Sequence, residues 1–100
     1  MTHNGDSIRI DKLLWFLRLA PTRTQAQEWV AAGHIRVNGR RVARASHAVH
    51  AGDILTLPTH SGTRVITLGA LPVRRGPPAE AHSLYRDHDL AVDQPPGTEA

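Results

Sequence analysis

Arginine is the residue type whose placement in this chain asks for chemistry. Residues 33–42 read GHIRVNGRRV. Asn38-Gly39 between two short alternating runs is the signature of a two-residue hairpin turn. The implied register sets Val37 against Arg40, Arg36 against Arg41 and Ile35 against Val42. Arg36 and Arg41 then become cross-strand neighbours, which like charge makes unfavourable. A second concentration lies at Arg18 and Arg23. Thr22-Arg23-Thr24-Gln25 reads as a capping box, with Thr22 as N-cap and Gln25 reaching back to it. Arg23 thus falls in the first turn of a helix, where the partial positive charge of the helix opposes a cation by a few tenths of a kcal/mol. Arg18 is expected to approach the same spot across the Ala20-Pro21 turn. Phosphate relieves both costs. Helix N–H groups beside a guanidinium form an anion site, and a phosphodiester backbone neutralises clustered arginines.

Other chemistry is thinly represented. Of the seven histidines, His47 and His50 are nearest each other, and with no cysteine in the chain they make a poor metal site. Asp11, Glu28 and Asp53 are too scattered for an acid–base pair. There is neither a glycine-rich phosphate loop after a strand nor a nucleophile elbow. The expectation is a chain without catalysis, metal, cofactor or small-molecule substrate.

Charge points the same way as the arginines. Residues 1–76 hold eleven Lys/Arg against four Asp/Glu, or +7, whereas residues 77–100 hold Arg86 against five acids, or −4. A basic body with an acidic tail suits a polyanionic partner. One hundred residues suffice for one small core. There is no apolar run long enough to cross a membrane and no signal-peptide pattern near the start, so a cytoplasmic protein is expected.

The elements that position these groups follow from periodicity. Ile10, Leu13, Leu14 and Leu17 share one helical face, and Pro21 predicts a stop near Ala20. A second helix buries Ala26, Trp29 and Val30 and ends at Gly33, a left-handed cap. Trp15 lies off the first stripe; it is expected to pack under the C-terminal extension rather than to stack on an unpaired base. After the hairpin come a loop at Arg44-Ala45-Ser46, a turn at residues 50–53 and a strand at Ile54–Leu57. Pro58 to Gly62 is expected to break that strand, and a further strand spans Arg64–Leu71. Arg74–Pro78 reads as a linker, and Ala79–Arg86 as a two-turn helix packing Ala81, Leu84 and Tyr85. Residues 1–7 are expected to fray, and the acidic tail, residues 88–100, to be disordered. The fold class is therefore α+β: two N-terminal helices packed on a small, mostly antiparallel sheet with a short C-terminal helical extension.

Several spaced motifs carry a family resemblance. Arg9-Ile10-Asp11-Lys12-Leu13-Leu14-Trp15, Arg18, Thr22-Arg23-Thr24-Gln25-Ala26, Gly33-His34-Ile35-Arg36-Val37-Asn38-Gly39 and Gly52-Asp53-Ile54-Leu55 resemble the RNA-binding domain named after ribosomal protein S-four. The ending Arg74-Arg75-Gly76-Pro77, Glu80-Ala81 and Leu84-Tyr85 is similar to the fifteen-kilodalton heat-shock branch of that family. The resemblance implies the αL motif, with an RNA-binding domain at residues 8–71 and a linker and helical extension at residues 72–87. It also implies binding to structured ribosomal RNA on the large subunit and action on stalled subunits still carrying a nascent chain. Separately, a monomer is expected. Carried over by position, the RNA-facing candidates are Arg9, Lys12, Arg18, Thr22, Arg23, Arg36, Asn38, Arg40 and Arg41. Two other roles compete with it. One is a protein-interaction module using Trp15, Phe16 and Leu19 on the outer side of the first helix. The other is an accessory piece of an RNA-modifying enzyme, such as those appended to pseudouridine synthases.

Overall fold

The computed structural model describes residues 6–60 and 62–88. The chain runs β1 (Ile8–Arg9), α1 (Ile10–Phe16), α2 (Arg23–Ala31), β2 (Arg36–Val37), β3 (Arg40–Arg41), β4 (Ala48–Val49), β5 (Ile54–Thr59), β6 (Gly62–Leu68), α3 (Pro78–His82) and β7 (Tyr85–Asp87). β3-β2-β5-β6-β7 form one sheet in that order, and β1 pairs with β4 in a second, two-stranded one. All pairs are antiparallel. The two helices pack on the sheet through Ile10, Leu13, Leu14, Leu17, Ala26 and Val30, which meet Ile35, Val42, Leu55, Leu57, Ile66 and Leu68 in a single core. The α+β reading of the sequence holds.

α1 is shorter than the proline predicts. It ends at Phe16, with Leu17 as its C-cap, because Arg18 turns left-handed (φ 60°). The Arg18 N–H donates to Trp15 O (3.1 Å) and the Leu19 N–H to Leu14 O (2.9 Å). This is the Schellman pattern, with arginine where glycine is usual. α2 closes by the same pattern at its expected residue: Gly33 (φ 83°) donates to Val30 O at 3.0 Å and His34 to Trp29 O at 2.9 Å. At the start of α2, Thr22 Oγ1 accepts from the Gln25 N–H at 3.0 Å. The Gln25 side chain turns instead to Glu28 (3.4 Å), so the box is half formed.

Other boundaries move. Pro58 does not break β5; it pairs with Thr63. β2 reaches only Leu55 and Thr56, so the missing proline N–H falls where β5 has an open edge. The loop before residue 50 contains β4, whose Ala48 and Val49 pair with Arg9 and Ile8. The C-terminal helix is five residues long, and Tyr85–Asp87 form a strand against Leu68, Thr67 and Ile66. Five residues from Pro78 bury only Ala81; the ladder satisfies the following backbone groups better than another exposed helical turn would. His88 continues the ladder, donating its N–H to Val65 O at 2.8 Å, with its ring against Thr67 Oγ1. The remainder of the acidic tail, and residues 1–5, lie outside the described residues.

One of the two tryptophans departs from its expectation. Trp29 is half-buried, packed against the core from its edge, and lines a groove with Leu19, Pro21, Leu57 and Pro58. Trp15 lies under the extension, as its position off the stripe implies: Arg75 Cζ stands 5.4 Å from the centre of its ring.

Candidate nucleic-acid interface

The first cluster is organised by a residue the charge pattern passes over. Asp11, at the start of α1, is the buried charged residue of the core, with no solvent exposure. Its carboxylate accepts from Arg9 Nε and Nη2 (3.1 Å each), Arg23 Nε (3.3 Å), Gln27 Nε2 (3.0 Å) and the Lys12 N–H (2.7 Å). Burial by itself pushes the Asp11 carboxyl up, but the hydrogen bonds from Gln27, Arg9, Lys12 and Arg23 outweigh it and hold the group below its ordinary value of 3.8. The acid therefore stays ionised and fixes two guanidinium groups from β1 and α2 beside each other.

This arrangement keeps the cations available. The side chains of Arg9 and Arg23 remain 48% and 41% exposed while Asp11 is fully enclosed. Arg9 Nη1 and both amino groups of Arg23 have no acceptor among the described residues. Two cations share one carboxylate, and Lys12 follows directly in sequence. The α1 end of the cluster is held by the turn before β4: Ile10 N–H donates to His47 O at 2.9 Å and Asp11 N–H to Ala45 O at 3.3 Å. Exposed Arg44 precedes that turn and makes no ion pair among the described residues.

The second cluster forms as its register predicts. Arg36 faces Arg41 and Val37 faces Arg40, across a turn in which Asn38 (φ 54°) and Gly39 (φ 83°) are both left-handed. The two like charges diverge. Arg36 Nη1 bonds Gly39 O at 3.1 Å. Arg41 lies against the end of α2, where a Cβ on Gly33 would stand 2.6–2.7 Å from its guanidinium atoms. The C-terminal carbonyls of a helix favour a cation there. α2 thus carries Arg23 at its first turn and Arg41 beyond its last, over a length of about 13 Å. Arg40 is exposed and has no ion pair among the described residues.

Three candidates are engaged elsewhere. Asn38 spends its amide in the fold, donating from Nδ2 to Asp53 (3.1 Å) and accepting the Ile54 N–H at Oδ1 (2.9 Å). Thr22 caps α2. Arg18 does not join Arg23; its Nε donates to Gly76 O at 2.7 Å, because the left-handed turn at Arg18 directs the chain away from a continuing helix. The outer apolar face of α1 is largely covered: Phe16 is buried, Leu19 packs half-buried on the core and Arg75 lies over Trp15. Arg64 is neutralised by Asp87 (2.6 and 2.9 Å) and held by Tyr85 Oη at 3.2 Å.

The family model for the S4 domain matches residues 8–55. The trimeric structure of Vibrio cholerae heat shock protein 15 superposes with a TM-score of 0.79, at 31% identity over 87% of each chain. The chain belongs to the S4-domain family. Heat shock protein 15 of Escherichia coli strain K12 is 32% identical over 87% of this chain, and the chain covers 65% of that protein. The small ribosomal subunit protein uS4 of Gloeobacter violaceus is 42% identical over 57 residues, which is 28% of its length. The S4-domain match takes in the Asp11 cluster, α2 and the hairpin, and stops before Arg64, Arg74 and Arg75. The likeness to heat shock protein 15 extends past it. Among the described residues, no helix is long and apolar enough to cross a membrane.

Sequence reasoning missed Asp11 and Gln27 as organisers of the S4-domain surface. The signal was available as a single acid inside an otherwise apolar and basic helix start, RIDKLLW, where an unpaired buried carboxylate would be costly.

Proposed function

We propose that the chain is a non-catalytic RNA-binding protein, cytoplasmic and monomeric when free, that takes structured ribosomal RNA on the face formed by Arg9, Lys12 and Arg23 and continued by Arg36, Arg40 and Arg41. The observation that carries this reading is the Asp11 carboxylate, which gathers Arg9 and Arg23 while leaving Arg9 Nη1 and both Arg23 amino groups without an acceptor among the described residues. Guanidinium groups fixed in this way meet phosphate oxygens with little further ordering to lose. Thr22 and Asn38 serve the site by holding α2 and the hairpin turn with their side-chain polar atoms rather than by offering those atoms to RNA. Following the heat-shock resemblance, we assign the RNA to the large ribosomal subunit, and the biological role to subunits stalled with a nascent chain.

Sucrose-gradient sedimentation of lysate at low and high salt tests this reading. The protein is expected to travel with the large subunit at low salt and to be released at high salt, as contacts dominated by phosphate require. Migration at the top of the gradient at both salts would overturn it. Light scattering on the free protein tests the monomer.

A further inference from the structure

A second group of cations gathers around the far end of α1, where Arg75, beyond the segment matched by the S4 domain, meets Arg18. Arg75 Nε donates to Trp15 O (3.2 Å), and its guanidinium lies 5.4 Å over the Trp15 ring. Arg18 Nε returns the bond to Gly76 O (2.7 Å). The chain between β6 and α3 and the end of α1 are thus clasped by two arginines, each given to the other segment's backbone. Trp15 and Phe16 have ring centres 5.7 Å apart, and Lys12 Nζ stands 5.2 Å over Phe16. Lys12 in turn donates its N–H to Asp11. A continuous line of groups therefore joins the Arg9–Arg23 cluster to Arg75 and Arg18 along α1.

These cations lack what their neighbours have. Arg64 and Arg74 each face a carboxylate, Asp87 and Glu80, at 2.6 Å. Arg75, Arg18 and Lys12 have none within ion-pair reach among the described residues. Each arginine uses only Nε within the fold, so its two amino groups remain unengaged among the described residues. A cation over an aromatic face is weakly stabilised, but two tethered guanidinium groups and an ammonium without an acid remain a concentrated positive charge that a polyanion neutralises.

We propose that Arg75, with Arg18 and Lys12, forms a second limb of the RNA-binding surface and takes the phosphate backbone of the RNA held by Arg9 and Arg23. This rests on the RNA-binding reading above. Arg75 is the residue that decides it, because it lies beyond the S4-domain match.

The test measures binding of purified ribosomal RNA across a salt series, together with thermal midpoints, for the wild-type chain, Arg75→Gln, Arg75→Lys and the Arg9→Ala/Arg23→Ala pair. Arg75→Gln keeps a donor for Trp15 O without the charge. It is expected to flatten log affinity against log salt by about 0.7–0.9, equivalent to about threefold more binding lost at 50 mM than at 200 mM salt. Its thermal midpoint should stay near wild type, and Arg75→Lys should retain the wild-type slope. If Arg75→Gln binds RNA with the wild-type affinity and slope, Arg75 is a clasp only and the second limb is wrong. The Arg9/Arg23 pair separates this failure from that of the parent reading. An unchanged affinity in that pair, or no RNA binding by the wild type, overturns the RNA surface and the limb together.

Discussion

The Arg23 Nε and the Asp11 carboxylate lie 3.3 Å apart, although twelve residues separate them in the chain. The contact ties the first turn of α2 to the first turn of α1. It also supplies the negative charge that a cation at a helix N-terminus otherwise lacks. Replacing Asp11 by Asn retains the shape and removes the charge. The expected loss is about 1–3 kcal/mol, below the range for a fully buried ion pair because both arginines are half exposed. Urea denaturation measures it; a wild-type midpoint would mean that the carboxylate does not organise the helices.

Acid should unfold the chain through the same group. Asp11 titrates lower in the folded state than its ordinary 3.8, the raising effect of burial being outweighed by its hydrogen bonds. Asp87 is lowered too, chiefly by the hydrogen bonds from Arg64. A depressed carboxyl contributes stability fully above its unfolded pKa and loses it as pH falls through the folded value. Stability should therefore be level above about pH 5 and fall below about pH 4, with a shallower fall in Asp11→Asn. Thermal midpoints at pH 3 to 7 show this; identical profiles for the two proteins would count against it.

Gly33 carries two constraints, a left-handed backbone (φ 83°) and the Arg41 guanidinium where a side chain would begin. Gly33→Ala should cost about 1–2 kcal/mol from the backbone alone. Part of any excess should disappear when Arg41 is also replaced by Ala, since that removes the obstruction. A double-mutant cycle with no coupling would place the whole cost in the backbone.

Removing the charges of Arg36 and Arg41 together should flatten the salt dependence of RNA binding by about 1.5–2 while leaving stability within about 0.5 kcal/mol. The loss of like-charge opposition is offset by the loss of the bond from Arg36 to Gly39 O. Arg86, exposed on β7, is the appropriate control. Arg64 is not, because Asp87 already neutralises it. Arg64→Ala should leave the salt slope alone and cost about 1 kcal/mol or less of ion-pair stability. If Arg86→Ala flattens the slope as much as the hairpin pair, the basic body attracts RNA without a defined face.

Trp29→Ala should cost less than the roughly 3–5 kcal/mol of a wholly buried tryptophan. Trp29 packs on the core from its edge and lines an open groove, so about 2 kcal/mol is expected from the apolar area it does cover. Calorimetry of the variant gives the value, and failure to fold would show that the core depends on it.

What the sequence by itself determined is local. The Leu13-Leu14-Leu17 stripe, the Thr22 cap, the Schellman end at Gly33 and the Asn38-Gly39 hairpin with its Arg36–Arg41 register all rest on residues within a few positions of one another. Their geometry follows from backbone sterics and helical or pleated periodicity. Tertiary structure decided which cations act together. Arg18 belongs with Gly76, 58 residues away, and Arg75 with Trp15, 60 away. Arg23 belongs with Asp11, and Asn38 with Asp53 and Ile54. Tyr85–Asp87 became a strand because β6 offered an unpaired edge. An arginine side chain has several rotatable bonds and carries no periodicity, so its partner is set by the carboxylate or carbonyl that folding brings within reach. That is a property of the packed chain, and no spacing in the sequence encodes it.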